Sequence, residues 1–254
     1  MIAIVALLML VSFIALKFKN DDKNLLGKAN QVPVTPEVQA PSAADAGTQD
    51  RSVSVSDVVS SEKLAQTEPV EPVAKEDHII GSTSEPIKLV VYSDFECAYC
   101  AKFADTVNQA KKEFGDKLAI IFRHYPLVDS HPNSLLAAEA SECASDQGKF
   151  WEMHDSLFQS EKVGNLNRES IDQSVVTLKL SKKEFNECLS TSKYKEKILG
   201  QVQEAKAATV SGSPTSFING ELITGANPYE DGVRSDGSKL EGLRNKILRK
   251  LEGK

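Results

Sequence analysis

The sequence predicts an α/β domain with an inserted run of helices, preceded by an apolar terminal segment and a polar linker. Three observations carry this. A β-rich run at 87–92 leads straight into Cys97-Ala98-Tyr99-Cys100 at the start of a helical pattern, and a second β-rich run follows at 118–122. The stretch from about 128 to 210 reads almost entirely as helix. The chain then returns to a strand–turn–strand pattern centred on Asn219-Gly220, a hairpin signal.

Taken in order, Met1 to Leu16 is apolar apart from Ser12 and ends at Lys17-Phe18-Lys19, so 1–19 reads as an uncleaved membrane anchor. No small-residue cleavage pattern follows the apolar run. Lys17 and Lys19 by themselves favour a cytoplasmic flank on this side; the outward placement expected here rests on the chemistry of the domain. Residues 20–77 lack Phe, Tyr and Trp and show no sustained period, which predicts a disordered linker. Of the net charge of −6, the stretch 21–77 accounts for all, with eleven acids against five bases. The remaining domain, 78–254, is close to neutral, and nothing in it is basic enough to follow a nucleic-acid backbone.

Within the domain, Gly81 and Pro86 precede the first strand, and Phe103, Val107 and Ala110 share one face of the helix that ends near Gly115. The insertion contains helices at 135–144, 150–158, 181–189 and 194–208, with Phe150, Trp151 and Phe158 as core residues. Strands at 215–218 and 221–223 flank the hairpin turn. Leu240, Leu243, Ile247 and Leu251 predict a closing amphipathic helix.

The four cysteines form one close pair, Cys97 and Cys100, and one distant pair, Cys143 and Cys188. Zinc would require a second close pair of Cys or His, which the spacing lacks, so no metal is expected. A Cys-x-x-Cys that opens a helix has a definite chemistry. The first sulfur faces unpaired N–H groups and the positive end of the helix dipole, which favours its thiolate. Cys97 is therefore the candidate nucleophile, with its sulfur exposed, and Cys100 the thiol that resolves a mixed disulfide. Ala98 and Tyr99 tune the pair and lack the histidine that would add positive charge. Glu96, beside Cys97, is expected to point to solvent. His124, at the end of the second strand, reads as a structural histidine bonded nearby.

The segments Tyr92-Ser93-Asp94-Phe95-Glu96-Cys97-Ala98-Tyr99-Cys100, Phe122-Arg123-His124-Tyr125-Pro126-Leu127, Gln147-Gly148-Lys149-Phe150-Trp151 and Gly212-Ser213-Pro214-Thr215-Ser216-Phe217-Ile218-Asn219-Gly220 resemble the DsbA-like family, a thioredoxin fold with a helical insertion. The resemblance runs from about residue 78 to the C-terminus, although the loop at 228–237 is longer and more polar than the family pattern. It implies a cis peptide bond before Pro214, with Ser213 and Pro214 against the active cysteines as a substrate-binding edge. It also implies an activity without a cofactor: donation of a disulfide to reduced secreted or surface proteins, followed by reoxidation by a membrane-bound, quinone-linked thiol oxidase.

A reductase or isomerase using the same pair, and a non-catalytic peptide- or metal-binding module, are the competing readings. Leu136, Ala140 and Cys143 share one helix face, and Phe185, Cys188 and Leu189 another, so both thiols point inward. Two free core cysteines would satisfy that pattern; relatives that carry an extra disulfide in the insertion point instead to a structural Cys143–Cys188 bond. The expected location is the cell membrane, with a single-pass anchor and the catalytic domain outside.

Overall fold

The computed structural model describes residues 73–253. The anchor expected over 1–19, and the linker as far as residue 72, lie outside the described residues. No helix among the described residues is long and apolar enough to cross a membrane.

Five strands form one sheet in the order β1-β3-β2-β4-β5. The central strand β2 (Ile87–Ser93) is buried along nearly its whole length, as a run flanked on both sides must be. It runs parallel to β3 (Leu118–His124), in register from Ile87 opposite Leu118 to Ser93 opposite His124. β4 (Thr215–Ile218) pairs antiparallel with β2, and β5 (Glu221–Thr224) returns antiparallel beside β4. β1 (His78–Ile80) closes the far edge against β3. It has only three residues, too short for a period-2 signal to announce it.

Alternation along β2 and β3 divides the core. Leu89, Val91 and Ile120 meet α1 (Ala98–Phe114) and α7 (Leu243–Leu251) on one face through Phe103, Val107, Leu243 and Ile247. Val90, Tyr92 and Ile121 face the other side, where Ala205 of α6 (Lys195–Ala207) packs. Each fully buried side chain of this kind contributes roughly 1.5–3 kcal/mol.

The insertion between β3 and β4 holds α2 (Ser134–Ser145), α3 (Phe150–Lys162), α4 (Arg168–Thr177), α5 (Lys182–Ser190) and α6. Four of these helices were expected. The fifth, α4, begins with a capping box in which Asn167 and Ser170 exchange hydrogen bonds, a signal present in the sequence but not singled out.

Two boundaries differ from expectation. Leu240 lies in a short hairpin, β6 (Gly232–Val233) with β7 (Lys239–Leu240), rather than in the closing helix. That helix starts after Gly242, whose backbone is extended (φ −70°, ψ 160°) and where a Cβ would fall 2.4 Å from the backbone of Glu230, so only glycine fits at this crossing. At the other end, the expected linker extends to residue 77, yet Asp77 clamps the buried Arg123 guanidinium with two bonds of 3.0 and 2.8 Å. Tyr92 and Glu204 take its remaining side. A guanidinium brought inside must be matched by carboxylates, and Asp77 is one of them.

Candidate active site

The end of β2 feeds a tight turn that carries the cysteine pair. Asp94, whose carboxyl group is fully buried, organises that turn: it accepts the Glu96 N–H at 2.9 Å, the Leu127 N–H at 2.9 Å and His131 Nδ1 at 2.7 Å. Its backbone carbonyl accepts the Cys97 N–H at 3.2 Å, and its own N–H lies 3.4 Å from Cys100 Sγ. The contact two residues on is an Asx turn, a local signal that the sequence contained. Glu96, expected to face solvent, instead accepts the Asn133 backbone N–H at 2.5 Å and its Nδ2 at 2.8 Å. The loop before α2 thus turns Glu96 away from the sulfurs, and Asp94 is the acid beneath them.

Cys97 is the N-cap residue of α1, with φ −93° and ψ 116°. The N–H groups of Tyr99 and Cys100 lie near its sulfur and favour the thiolate, although neither completes a capping bond of normal geometry. The Cys97 thiol is lowered to about 6: the hydrogen bond from Cys100 is the largest cause, burial opposes it, the two N–H groups add to it, and the Asp94 charge works against it. Cys100 is pushed strongly upward, first by burial and then by its bond to Cys97 and by that thiolate's charge. One proton shared by two sulfurs gives this asymmetry. Ala98 and Tyr99 are both exposed, Tyr99 70 % so, and Tyr99 bears on the pair through its backbone N–H.

The expected exposure of the Cys97 sulfur needs correction. Cys97 is 6 % exposed and Cys100 1 %, and both are free thiols. The loop before β4 covers the pair: Cys97 Sγ donates to the Ser213 carbonyl at 3.6 Å, and the Ser213–Pro214 bond is cis. Behind Cys100 a cavity of about 20 Å³ is bounded by Ser93, Phe103, Phe122, Trp151 and His154, among others.

Cys143 of α2 and Cys188 of α5 are joined by a disulfide, with Cα atoms 5.8 Å apart. Phe150 and Phe158 are buried beside it in the cluster that also contains Cys97 and Cys100, and the partly buried Trp151 packs against that cluster and the sheet core alike.

Among the described residues, His78, His124 and Glu142 bring donor atoms together as a metal would require, all within 4.8 Å. Both imidazole Nε2 atoms sit 2.9 Å from Glu142 Oε1. Lys197 Nζ lies 2.9 Å from Oε2 and 3.4 Å from His78 Nε2. The ammonium already supplies the positive charge that this carboxylate needs. Despite burial, the hydrogen bonds of His124 and His78 hold Glu142 far below the usual carboxylate range, while burial pushes His124 down against the raising effect of Glu142. His124 ties β3 to α2 through this bond.

Comparison with known proteins places residues 73–234 on a thioredoxin family model. In structure the chain is similar to the oxidised form of BdbD from Bacillus subtilis, at 20% identity over 73% of this chain and 98% of that one, with a TM-score of 0.60. It is also similar to the thiol-disulfide exchange protein alpha-DsbA2 from Wolbachia pipientis, at 21% identity over 68% of this chain and 86% of that one, with a TM-score of 0.55. These likenesses establish the thioredoxin fold with its helical insertion. A curated protein named Na(+)/H(+) antiporter NhaA 1, from Salinispora arenicola, is 38% identical over 176 residues, covering 69% of this chain and 26% of that protein. The chain thus spans about a quarter of the length of the curated relatives it matches.

Proposed function

The chain belongs to the thioredoxin family, and from that premise we propose that it is a thiol–disulfide oxidoreductase of the DsbA type, with Cys97 exchanging and Cys100 resolving. The observation that carries this is geometric: Cys97 caps the start of α1 with Cys100 one turn on, and its sulfur lies 3.6 Å from the Ser213 carbonyl of the cis Ser213–Pro214 loop, a setting in which the Cys97 thiol is lowered and the Cys100 thiol raised. In the forward direction a substrate thiolate attacks Cys97 Sγ of the Cys97–Cys100 disulfide. The S–S bond breaks, and Cys100 leaves as a thiolate and takes up a proton. A second substrate thiolate then attacks the substrate sulfur of the mixed disulfide and expels the Cys97 thiolate. Two substrate thiols become one disulfide, and the enzyme keeps both electrons.

A stabilised Cys97 thiolate favours the reduced enzyme, which makes its disulfide an oxidant. The covering Ser213–Pro214 loop offers the backbone edge on which an extended substrate would lie. The substrates in this reading are reduced secreted or surface proteins. A membrane-bound, quinone-linked thiol oxidase would accept the two electrons, and segment 1–19 would tether the domain outside the membrane. The Cys143–Cys188 bond supports an oxidising compartment. A reporter fused to the C-terminus tests the location: activity only on the outer side is expected, and cytoplasmic readout overturns it.

The Asp94 charge, which opposes the thiolate, favours a less oxidising poise and keeps the reductase reading in contention. Equilibration of the Cys97–Cys100 couple with glutathione decides between them. A potential above that of glutathione is expected, and a strongly negative one assigns a reductase. Failure of the oxidised protein to transfer its disulfide to a reduced two-cysteine peptide removes the enzymatic reading altogether.

A further inference from the structure

Three acids stand around Cys97, and one base is hydrogen-bonded to the most buried of them. Asp94 lies buried beside the pair; Glu96 is fixed by Asn133; and Glu161, near the end of α3, is close enough for its charge to interact with those of Glu96, His131, Cys97 and Asp94. The base is His131, in the loop between β3 and α2. Its backbone is pinned on both sides, N–H to the Leu127 carbonyl at 2.9 Å and carbonyl to the Ser134 hydroxyl at 2.7 Å, so the ring is aimed at Asp94. Its side chain keeps 23% exposure while that of Asp94 has none, so the histidine is the member of the pair that can trade its proton with water.

We propose that His131 is a positioning residue of the exchange site: held against the buried Asp94 carboxylate, its protonated ring cancels the negative charge beneath the dithiol and so stabilises the Cys97 thiolate. This rests on the oxidoreductase reading of the same site. It also supplies, from a loop distant in sequence, the positive charge that Ala98 and Tyr99 lack between the cysteines.

The groups facing His131 are Asp94, Cys97, Glu96 and Glu161. Burial opposes its charging, but the Asp94 hydrogen bond and charge, with smaller contributions from Cys97 and Glu96, raise it above the ordinary histidine value. Cys97 is lowered to about 6 while His131 is raised, so the two shifts run in the directions that favour a thiolate and an imidazolium together. As pH climbs through the His131 transition, the cluster gains a full negative charge beside an existing thiolate, and the reduced state loses part of its advantage. Coupling of this kind is reciprocal, so the sulfur must feel the ring and the ring the sulfur.

The direct test uses the unaltered protein. Proton NMR titration of the His131 ring is run on the reduced protein and on the Cys97–Cys100 disulfide form. We expect the ring to titrate higher by about half a unit or more when Cys97 is a thiolate; identical titrations overturn the proposal. A second readout follows the ultraviolet absorbance of the Cys97 thiolate against pH in His131→Asn, which keeps a donor toward Asp94 and removes the charge. The midpoint should rise by about one unit, and adding Asp94→Asn should bring it back; an unchanged midpoint in a folded His131→Asn protein again overturns the assignment. Neither readout requires turnover. If the parent protein transfers no disulfide to a reduced peptide while the titrations remain coupled, the oxidoreductase reading fails and the charge coupling stands.

Discussion

Two cysteine pairs sit in one apolar cluster and differ in what surrounds their sulfurs. Cys143 and Cys188 project from the interiors of two packed helices, where backbone N–H groups are already spent on i→i−4 bonds. Nothing there favours a thiolate, and the pair is a disulfide. Cys97 and Cys100 occupy the first turn of a helix, where N–H groups lack intrahelical partners and charge on one sulfur is supported. Burial is similar in the two pairs, so position relative to a helix start, not exposure, separates the pair proposed to exchange from the disulfide-bonded one.

Substitution of the cysteines has the largest expected effects. Cys97→Ser should abolish exchange with a reduced peptide, while Cys100→Ser should accumulate a mixed disulfide visible on non-reducing gels; equal loss of all adducts in both variants would break the distinction between the pairs. Replacing Cys143 and Cys188 together by Ala should act on stability instead. The bond spans a sequence separation of 45, so its loss should cost at most ~4 kcal/mol on the loop-entropy model, or roughly 10 °C in Tm. The rate of Cys97 alkylation should stay within about twofold of the parent protein's, since Cys97 keeps its helix start; a large change would mean that the structural bond also shapes the reactive pair.

The pH dependence sharpens the comparison further. The folded-state value of Cys97 lies below that of an ordinary thiol, so its contribution to the stability of the reduced form is complete above the unfolded value and is lost as pH falls through about 6. The reduced protein should therefore gain Tm relative to the disulfide form between pH 5 and pH 8, by calorimetry on both forms at ~pH 5 and ~pH 8. A constant gap would remove the thiolate from the account. The smallest effect is expected at Tyr99. Tyr99→Ala should shift stability by no more than ~0.5 kcal/mol and leave the Cys97 alkylation midpoint in place, because an exposed side chain contributes little and the backbone N–H is retained.

Much of the scaffold was legible because each segment's burial is written in its own periodicity. The run at 87–92 alternates between two core faces, Phe103, Val107 and Ala110 share one stripe of α1, and Asn219-Gly220 marks the turn between β4 and β5. Short edges escaped. β1 has three residues, the β6–β7 hairpin has two per strand, and Leu240 was drawn into the helix pattern by its spacing from Leu243 although Gly242 prevents the helix from reaching it. Of the candidate site, the cysteine pair and the Ser213–Pro214 loop were legible as residues, while the buried Asp94 was not singled out and the only acid weighed, Glu96, was expected to face solvent.

By itself, then, the sequence determined the α/β order, the helical insertion, the helix-start placement of Cys97 and the distant spacing of the second pair, all properties of contiguous segments. Tertiary structure alone decided which polar groups meet. Asp94 and His131 are 37 residues apart, Arg123 and Asp77 are 46 apart, and Lys197 reaches Glu142 across 55. Hydrophobic periodicity reports which face of a segment is buried. A buried charge is matched by whatever side chain the packing of distant segments brings within about 3 Å, and no local pattern encodes that distance.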